Sequence, residues 1–407
     1  MRLPQLEQAW AAGRLVPLAG PGETAPVVPA SLEQQLGPGV IVGSGGSMGG
    51  RRWCVQPLAH LQESAAATGR WLAAQGFDPA ACLHLNPLPP HHVSGLLPWV
   101  RSRQWGAQHR TLAPALMRDP VALAEALPAA ELVRQGSVLL SLVPTQLGRL
   151  LADPAGVAWL QQVALIWVGG APLSPELAAM ARQLRLPLAP CYGATETAAM
   201  VCALTPTRFL AGELGCGAPL DGVRLRVEAP SGPLAIATAR LSPGWLEQGA
   251  LVPLPRTADG WWLSGDAARF SDQGLQVLGR LDAAIHSGGE TVFPEQVEQR
   301  LVALIEAAAL PVAALLLVAE SDPLWGARLV ALVRLQADSA CEPVLAGLNQ
   351  LAQQLPPAHR PVRWQVCASL ETTMAGKWQR QRWQQWLAGQ LPGQHLGQQP
   401  GQLPGQA

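Results

Sequence analysis

The sequence predicts an α/β fold: a large N-terminal α/β domain with a small β subdomain, followed by a small α+β C-terminal domain. Short apolar runs alternate with amphipathic helical patterns over residues 39–190, which is typical of a mainly parallel sheet covered by helices. Over residues 223–280 the apolar residues instead recur with period two, which indicates antiparallel strands. We expect domains at residues 1–281 and 282–388, and a disordered Gln/Pro/Gly-rich tail at 389–407.

The large domain is predicted from apolar runs that are each followed by a helical pattern. The helix over residues 57–77 carries Leu61, Ala65 and Leu72 on one face. A second helix starts after Ser174, which supplies a hydroxyl cap before a proline and an acid. Residues 1–36 are only weakly periodic, so no element is predicted there. The predicted strands cover residues 39–42, 81–85, 138–143 and 163–168, and a further helix covers residues 144–151.

The β subdomain and the C-terminal domain follow from the remaining patterns. Strands of the subdomain are predicted at residues 223–227, 234–241, 261–266 and 275–280. A helix then opens at Pro294, a residue typical of the first helical position, and turns inward Val297, Leu301, Leu304 and Ile305. Strands at residues 312–318 and 328–335 and a helix at residues 342–354 complete the C-terminal domain.

Composition excludes several classes of function. The 407 residues have a formal net charge of zero, so we expect neither a nucleic-acid partner nor an anionic membrane surface. The longest apolar stretch, residues 307–319, is too short to span a bilayer, and no secretory signal begins the chain. The seven cysteines contain no CxxC pair, which indicates reduced thiols and a cytoplasmic protein.

Three local motifs point to chemistry. A Gly/Ser-rich stretch, residues 43–52, follows the first predicted strand and can wrap backbone N–H groups around a phosphate; a plain flexible loop is the alternative. The only tyrosine, Tyr192, begins the motif Tyr192-Gly193-Ala194-Thr195-Glu196. The only lysine, Lys377, follows a glycine in a chain that otherwise uses arginine. A compact ammonium and a planar guanidinium are not interchangeable between several oxygens, which favours a special site for Lys377; a solvated surface lysine on a helix is the alternative.

In order and spacing these motifs resemble the adenylate-forming superfamily, which includes acyl-CoA synthetases, nonribosomal adenylation domains and luciferases. The resemblance covers residues 40–386. Besides the tyrosine motif, it rests on Gly265-Asp266, Gly279-Arg280-Leu281-Asp282, Gly288-Gly289-Glu290, Pro294-Glu295 and Gly376-Lys377. Such enzymes join a carboxylate to the α-phosphate of ATP, release pyrophosphate and pass the acyl group to a thiol. The resemblance therefore implies a small-molecule carboxylic acid, ATP and CoA as substrates and Mg²⁺ as cofactor; the sequence gives no evidence on oligomeric state.

The resemblance also implies a role for each motif residue. Lys377 would bridge the carboxylate and the α-phosphate, Thr195 would bond the phosphate, and Glu196 would hold Mg²⁺. Asp266 would accept the ribose hydroxyls, with Arg280 as a nearby donor. A hinge at Asp282 would make the C-terminal domain mobile and present Gly288 and Gly289 for the CoA step. The adenine site would be lined by Gly169, Gly170, Tyr192 and Gly193, and the pyrophosphate end would be held by Ser44, Gly45, Ser47 and Arg51.

The sequence departs from the family pattern at the phosphate loop. The usual SGTTGxPK is replaced by Ser44-Gly45-Gly46-Ser47-Met48-Gly49-Gly50-Arg51, which keeps hydroxyls, glycines and one cation. Ala283 stands where a second acid often follows the hinge. The segment before the loop is also much shorter than in relatives. We therefore expect the grip on the phosphates to differ from that of the family.

The compact layout is most similar to o-succinylbenzoate–CoA ligases of menaquinone and phylloquinone synthesis. His92-Val93-Ser94-Gly95-Leu96 resembles the family's HxxGL segment at the acyl pocket. This acid has two carboxylates, so the pocket should supply a second cationic or polar partner. Besides Gly95, the candidates are His91, His92, Ser94, Arg101, Arg103 and Thr197; alternatively, His91 and His92 only cap the helix that follows.

Three functions from different classes stay open on sequence grounds. The first is an acid–CoA ligase. The second is an adenylation enzyme that loads another acid onto a carrier protein, although no carrier domain follows residue 390. The third is a non-catalytic nucleotide-binding relative, which the altered phosphate loop favours and the retained Lys377 disfavours.

Overall fold

The structure is a computed structural model that describes residues 3–45, 51–228, 231–372 and 378–389. The described chain forms two compact units, a larger one that ends at Val277 and a smaller one that begins at Leu278. Each unit combines helices with sheets, so the predicted α/β class with a large N-terminal and a small C-terminal part is confirmed. None of the helices in these ranges is long and apolar enough to cross a bilayer.

The described residues of the larger unit form three sheets. Strand β16 begins in the larger unit and ends in the smaller one. The strands are β1 Leu15–Leu18, β2 Gly39–Gly45, β3 Arg51–Pro57, β4 Leu83–Asn86, β5 Gln108–Thr111, β6 Val138–Leu142, β7 Leu165–Val168, β8 Leu188–Ala194, β9 Ala199–Ala203, β10 Ala218–Pro219, β11 Val223–Val227, β12 Gly232–Thr238, β13 Gly244–Glu247, β14 Ala250–Pro253, β15 Trp262–Ser271 and β16 Gly274–Arg280.

Helix α9 of the larger unit begins with the expected signals. Ser174 caps α9 by accepting a hydrogen bond from the Leu177 amide at 3.2 Å, as predicted from the sequence. The helices are α1 Leu3–Ala11, α2 Ala30–Leu36, α3 Leu58–Ala73, α4 Val93–Trp105, α5 Pro120–Ala126, α6 Ala129–Gln135, α7 Pro144–Leu151, α8 Pro154–Leu160, α9 Pro175–Gln183 and α10 Pro206–Leu210.

The central sheet has seven strands in the order β10-β9-β8-β7-β6-β4-β5. From β5 to β8 the strands pair in parallel, which confirms the prediction from alternating strands and helices. Both faces of this sheet are buried: Leu140 packs into one apolar cluster, and its neighbour Leu139 packs into another on the opposite face. Each such buried side chain stabilises the fold by about 1.5–3 kcal/mol. The carboxyl ends of β6, β7 and β8 therefore form a rigid edge for a site.

The Gly/Ser-rich stretch is not a loop along its whole length. Strand β2 continues to Gly45 and β3 begins at Arg51, and the two pair as an antiparallel hairpin, with Ser44 opposite Arg52. The predicted loop over residues 43–52 is therefore wrong at both ends, because cross-strand pairing extends the strands through the glycines. The sheet order is β1-β2-β3-β13-β14, so residues 1–36, where no element was predicted, contribute β1 as well as α1 and α2.

The β subdomain is confirmed as a four-stranded sheet in the order β11-β12-β15-β16. Strands β11 and β12 pair antiparallel, as the period-two pattern predicted.

The smaller unit packs its helices on one mixed sheet, which is antiparallel except for the parallel pairing of its last strand. Val297, Leu301 and Ile305 of its first helix are buried against strand residues such as Leu317, as predicted, whereas Leu304 is half-buried. The strand order is β18-β17-β20-β19, and β21 pairs with β20. The elements are β17 Ile285–Ser287, β18 Glu290–Val292, α11 Pro294–Ala307, β19 Val312–Asp322, β20 Gly326–Leu335, α12 Cys341–Ala352, β21 Trp364–Val366 and α13 Arg380–Ala388. The tail predicted to be disordered lies outside the described residues, except for Gly389.

Candidate active site

The site begins at the carboxyl ends of β7 and β8, where open α/β sheets bind their ligands. Gly169 and Gly170 follow β7 directly, and Gly170 has a φ of +83°. A Cβ on Gly169 would lie 2.8 Å from the Sγ of Cys191 on β8, so only glycine lets the two strand ends approach this closely. Cys191 leads into Tyr192, and the predicted adenine-site glycines therefore lie beside the tyrosine motif.

Tyr192, on β8, connects the central seven-stranded sheet to the β subdomain. Its hydroxyl donates a hydrogen bond to the carboxylate of Asp266 on β15, and the Asp266 amide in turn donates to the Ser264 hydroxyl at 3.2 Å. Burial, together with the adjacent Asp266 carboxylate, raises the pKa of Tyr192 well above its usual value, so the hydroxyl stays protonated. The tyrosine motif and the Gly-Asp motif thus meet at one place.

The residues Thr195, Glu196 and Thr197 form a single 3₁₀ turn at the end of β8. Gly193 precedes the turn at a register shift between β8 and β9, where a Cβ would lie 2.1 Å from the Ala199 carbonyl oxygen. The half-buried Glu196 carboxylate accepts a hydrogen bond from the Trp245 indole N–H at 3.3 Å. The turn therefore presents one hydroxyl and one carboxylate together.

The donor set at this turn fits a magnesium ion that arrives with a nucleotide. Within the described ranges no group of three His, Cys, Asp or Glu side chains can hold a metal by itself. Mg²⁺ keeps several waters and is commonly bound by one or two carboxylates plus phosphate oxygens. A single carboxylate such as that of Glu196 meets this requirement once a triphosphate supplies the other oxygens.

Thr197 has a structural task in the turn. Its side chain is fully buried, and its hydroxyl accepts from the Ala194 amide at 3.0 Å and donates to the Ala199 carbonyl at 2.7 Å. These bonds close the turn and leave the hydroxyl little capacity to bind a substrate. The sequence-based expectation that Thr197 contacts the acyl substrate is therefore not supported.

The turn also depends on residues that the motif analysis missed. The carbonyl oxygens of Thr195 and Thr197 accept hydrogen bonds from Gln56 Nε2 at 2.6 Å and Arg240 Nε at 3.3 Å. Burial lowers the pKa of Arg240 to about 10, so it remains charged at neutral pH. The signal available in the sequence was a polar side chain inside an apolar run, since Gln56 follows Cys54-Val55 and Arg240 precedes Leu241.

The HxxGL segment forms the start of α4. His92 occupies the N-cap position, but its side chain makes no capping hydrogen bond to the helix, so for His92 the capping interpretation is wrong. Its ring lies against that of His91, with 4.5 Å between the centroids. Ser94 is exposed. A Cβ on Gly95 would lie 2.1 Å from the Pro89 carbonyl oxygen, so this glycine packs the helix start against the preceding turn.

Of the two candidate arginines on α4, only Arg101 is inside the protein. Arg103 pairs at the surface with Glu7 at 2.6 Å. Arg101 is 4% exposed, and its guanidinium carbon lies 5.2 Å from the centroid of the Trp167 ring on β7. Burial lowers its pKa to about 10, and its Nε has no hydrogen-bond partner among the described residues. A buried cation without a carboxylate partner is costly, which makes Arg101 a candidate anion site.

The smaller unit carries the predicted hinge and CoA-step residues. Arg280 donates to both carboxylate oxygens of Asp282, at 3.2 and 3.0 Å. Gly288 and Gly289 form the two-residue turn between β17 and β18, with φ values of +57° and +85°. A Cβ on Gly288 would lie 2.5 Å from the Trp325 ring.

The remaining predicted site residues belong to the phosphate loop and to the lysine motif. Ser47 and Lys377 lie outside the described residues, as does the side chain of Arg51, and Gly45 is described only as the last residue of β2. Ser44 is buried, and its hydroxyl lies 3.4 Å from the Arg52 carbonyl oxygen. The pyrophosphate and catalytic-lysine roles therefore stay predictions from the sequence.

Comparison with known proteins finds relatives in sequence and in fold. Residues 58–237 match the family model of the AMP-binding enzymes. A probable 2-succinylbenzoate–CoA ligase of Mycobacterium tuberculosis is 32% identical over 64% of this chain and 63% of its own length. The 2-succinylbenzoate–CoA ligase of Enterococcus faecalis is 30% identical over 73% of this chain and 60% of its own length. The chain thus spans less than two thirds of the length of these curated relatives.

Solved structures show the same fold. The o-succinylbenzoate CoA synthetase MenE of Bacillus subtilis, in complex with its acyl-adenylate intermediate, superposes with a TM-score of 0.70 at 22% identity, over 84% of this chain and 68% of that one. MenE of Escherichia coli superposes with a TM-score of 0.65 at 26% identity, over 86% and 68%. The chain is thus similar in sequence to 2-succinylbenzoate–CoA ligases, its residues 58–237 resemble AMP-binding enzymes, and it shares the fold of the MenE structures.

Proposed function

We propose that this protein is an ATP-dependent acid–CoA ligase. It joins a carboxylate to the α-phosphate of ATP, releases pyrophosphate and transfers the acyl group to CoA. The observation that carries the proposal is the hydrogen bond from Tyr192 to Asp266, two residues 74 positions apart. That bond unites the motif expected at adenine with the motif expected at ribose, one turn away from Thr195 and Glu196.

The chemistry suits these side chains. A carboxylic acid is already ionised at pH 7, so adenylation needs no general base. The barrier arises because one anion must approach another in line, and enzymes lower such a barrier by positioning and by opposing charge. Thr195 would bond the α-phosphate, and Glu196 would hold the Mg²⁺ that neutralises phosphate charge. Tyr192 orients the Asp266 carboxylate toward the ribose hydroxyls.

We propose 2-succinylbenzoate as the acid. The named relatives support this choice, and Arg101 supports it from the structure. The acid retains one carboxylate after the other has been adenylated, and that second carboxylate needs a cation. Arg101 is buried next to Trp167 and next to Cys191, the residue that precedes Tyr192 in the sequence. It lacks an ion-pair partner in the described part of the chain. His92 and Ser94, at the other end of α4, would contact the remainder of the acid.

The smaller unit would supply the remaining groups. Lys377 would bridge the reacting carboxylate and phosphate, Arg280 would donate near the ribose, and Gly288 and Gly289 would face the CoA thiol after rotation about Asp282. The phosphate loop would hold the pyrophosphate end with backbone N–H groups and Arg51. The seven cysteines are all free thiols, which supports a cytoplasmic location.

A pyrophosphate-release assay with a panel of carboxylic acids tests the proposal. We expect release with 2-succinylbenzoate and ATP, followed by a CoA thioester when CoA is added. Release without any use of CoA would favour the loading of a carrier protein. The absence of release with every acid would leave only a non-catalytic nucleotide-binding protein.

A further inference from the structure

The backbone is strained directly after the 3₁₀ turn formed by Thr195, Glu196 and Thr197. Ala198 has a φ of +51° and ψ of 50°, and Ala199 has a φ of +73°. Residues with a Cβ rarely adopt this left-handed region, and two in succession are rarer still. Such strain persists only where the surrounding structure over-determines it, and it concentrates at functional sites. The turn is therefore held in place by something other than its own preferences.

Four successive carbonyl groups hold the strained turn to the rest of the larger unit. Each accepts a hydrogen bond from a donor distant in sequence, and these donors come from β3, from α3 and from the segment between β12 and β13. The pairs are Thr195 with Gln56 Nε2 at 2.6 Å, Glu196 with the Ser242 amide at 2.7 Å, Thr197 with Arg240 Nε at 3.3 Å and Ala198 with Ser64 Oγ at 2.6 Å.

Arg240 is the only charged member of this set. It is 1% exposed, and its second branch donates to the Met200 carbonyl at 2.7 Å, so it spans both sides of the strained pair. It forms no ion pair with a carboxylate of the described residues. A buried guanidinium without a counter-ion costs stability. Its charge-assisted bonds to carbonyl groups are about twice as strong as neutral ones, so its position favours a rigid turn.

We propose that Arg240 and Gln56 are positioning residues for adenylation. They hold the strained turn so that the Thr195 hydroxyl and the Glu196 carboxylate stay where the α-phosphate and its Mg²⁺ arrive. Neither residue contacts the reacting atoms in this assignment. The inference rests on the proposed function, because it concerns the same site.

The test compares Arg240→Met and Gln56→Leu with a matched control. Arg182 also donates from its guanidinium to two backbone carbonyls, those of Phe209 at 2.8 Å and Glu213 at 2.9 Å, away from the turn. Arg182→Met therefore removes the same kind of contact. The measurements are kcat for pyrophosphate formation, KM for the acid, and the Mg²⁺ concentration that gives half-maximal rate.

For both turn variants we expect kcat to fall by about 10- to 100-fold, because a misplacement of about 1 Å at a reacting centre has such an effect. The half-saturating Mg²⁺ concentration should rise, while KM for the acid stays within about twofold. Arg240→Lys, which keeps a cation at this position, should recover part of the rate. Hydrogen exchange provides a readout that does not depend on activity: the amides of residues 194–199 should exchange faster in Arg240→Met than in Arg182→Met.

Two failures can be told apart. If the wild-type protein releases no pyrophosphate with any acid, the proposed function is wrong and this inference is wrong with it. If the wild-type protein is active but the turn variants match Arg182→Met in kcat, Mg²⁺ dependence and exchange, only the positioning roles of Arg240 and Gln56 are refuted.

Discussion

Replacing Arg380 by methionine is expected to destabilise the smaller unit strongly. Arg380 opens α13, three residues after Lys377, and donates to both carboxylate oxygens of Glu298 on α11, at 2.6 and 3.0 Å. The Glu295 carboxylate lies 3.4 Å from Nη2 of Arg380. The Arg380 and Glu298 side chains are only 15% and 11% exposed. Although burial alone would lower the pKa of Arg380, the nearby carboxylates of Glu298 and Glu295 outweigh it and raise that pKa, so Arg380 remains charged.

The size of the effect follows from what the substitution leaves behind. Removing one member of a buried ion pair costs about 3–5 kcal/mol, because the other charge stays in the interior without a partner. Glu298 keeps one hydrogen bond, from the Leu317 amide at 2.5 Å, so we expect a loss near the lower end, about 3 kcal/mol. Glu298→Leu in the Arg380→Met background removes the orphaned charge, so the double variant should lose less than the sum of the two single variants.

The assay is urea-dependent hydrogen exchange of the β19 amides in the full chain, which reports the opening free energy of this unit alone. Arg382→Met is the matched control, because Arg382 lies on the same helix, is exposed and, among the described residues, hydrogen-bonds to Gln379 Oε1 at 3.1 Å. A loss below about 1 kcal/mol in Arg380→Met would refute the reasoning, as would strict additivity in the double-mutant cycle.

Three further outcomes are expected. Lys377→Arg should lower adenylation by at least about 100-fold while sparing thioester formation from supplied acyl-adenylate; normal pyrophosphate release would refute its role. Asp282→Pro should spare pyrophosphate release and slow the CoA step, whereas Asp282→Asn, which keeps backbone freedom, should not; equal loss of both steps would refute the hinge. Burial lowers the pKa of His109 to about 4, so between pH 6.5 and 4 the unfolded chain binds this proton and the folded chain does not. The free energy of unfolding therefore decreases as the pH is lowered through this range. His109→Gln should therefore reduce the destabilisation between pH 7 and pH 5, measured by urea unfolding, by up to about 2 kcal/mol; an unchanged pH dependence would refute this.

Much of the site could be predicted because its residues lie in short contiguous motifs. Tyr192, Thr195 and Glu196 lie within five consecutive residues, so their proximity required no knowledge of packing. Asp266 could be assigned to the same place only through the order of motifs, since its contact with Tyr192 spans two sheets of the larger unit. The parallel sheet could be predicted equally well, because consecutive residues such as Leu139 and Leu140 are both apolar although they point to opposite faces of the sheet.

The missed features depend on contacts between distant segments. Gln56 and Arg240 carry only a weak local signal, a polar side chain beside apolar residues, and their role appears only when β3 and the segment after β12 meet the turn. The glycines at positions 43 and 45 favour a loop by propensity, yet pairing with β3 overrides that preference. Strand β1 was missed because it is four residues long and pairs in parallel with β2 only through long-range contact.

The ion pair between Arg380 and Glu298 also protects an edge of the smaller unit's sheet. Strand β19 lies at the end of the strand order, so its outer backbone groups face away from β20. At Leu317 the outer N–H donates to Glu298, and the outer carbonyl accepts from Arg380. An apolar strand edge with open backbone groups readily pairs with another chain. Loss of this pair would therefore expose a template for strand addition, and Arg380→Met should self-associate at concentrations where the Arg382→Met control stays monodisperse.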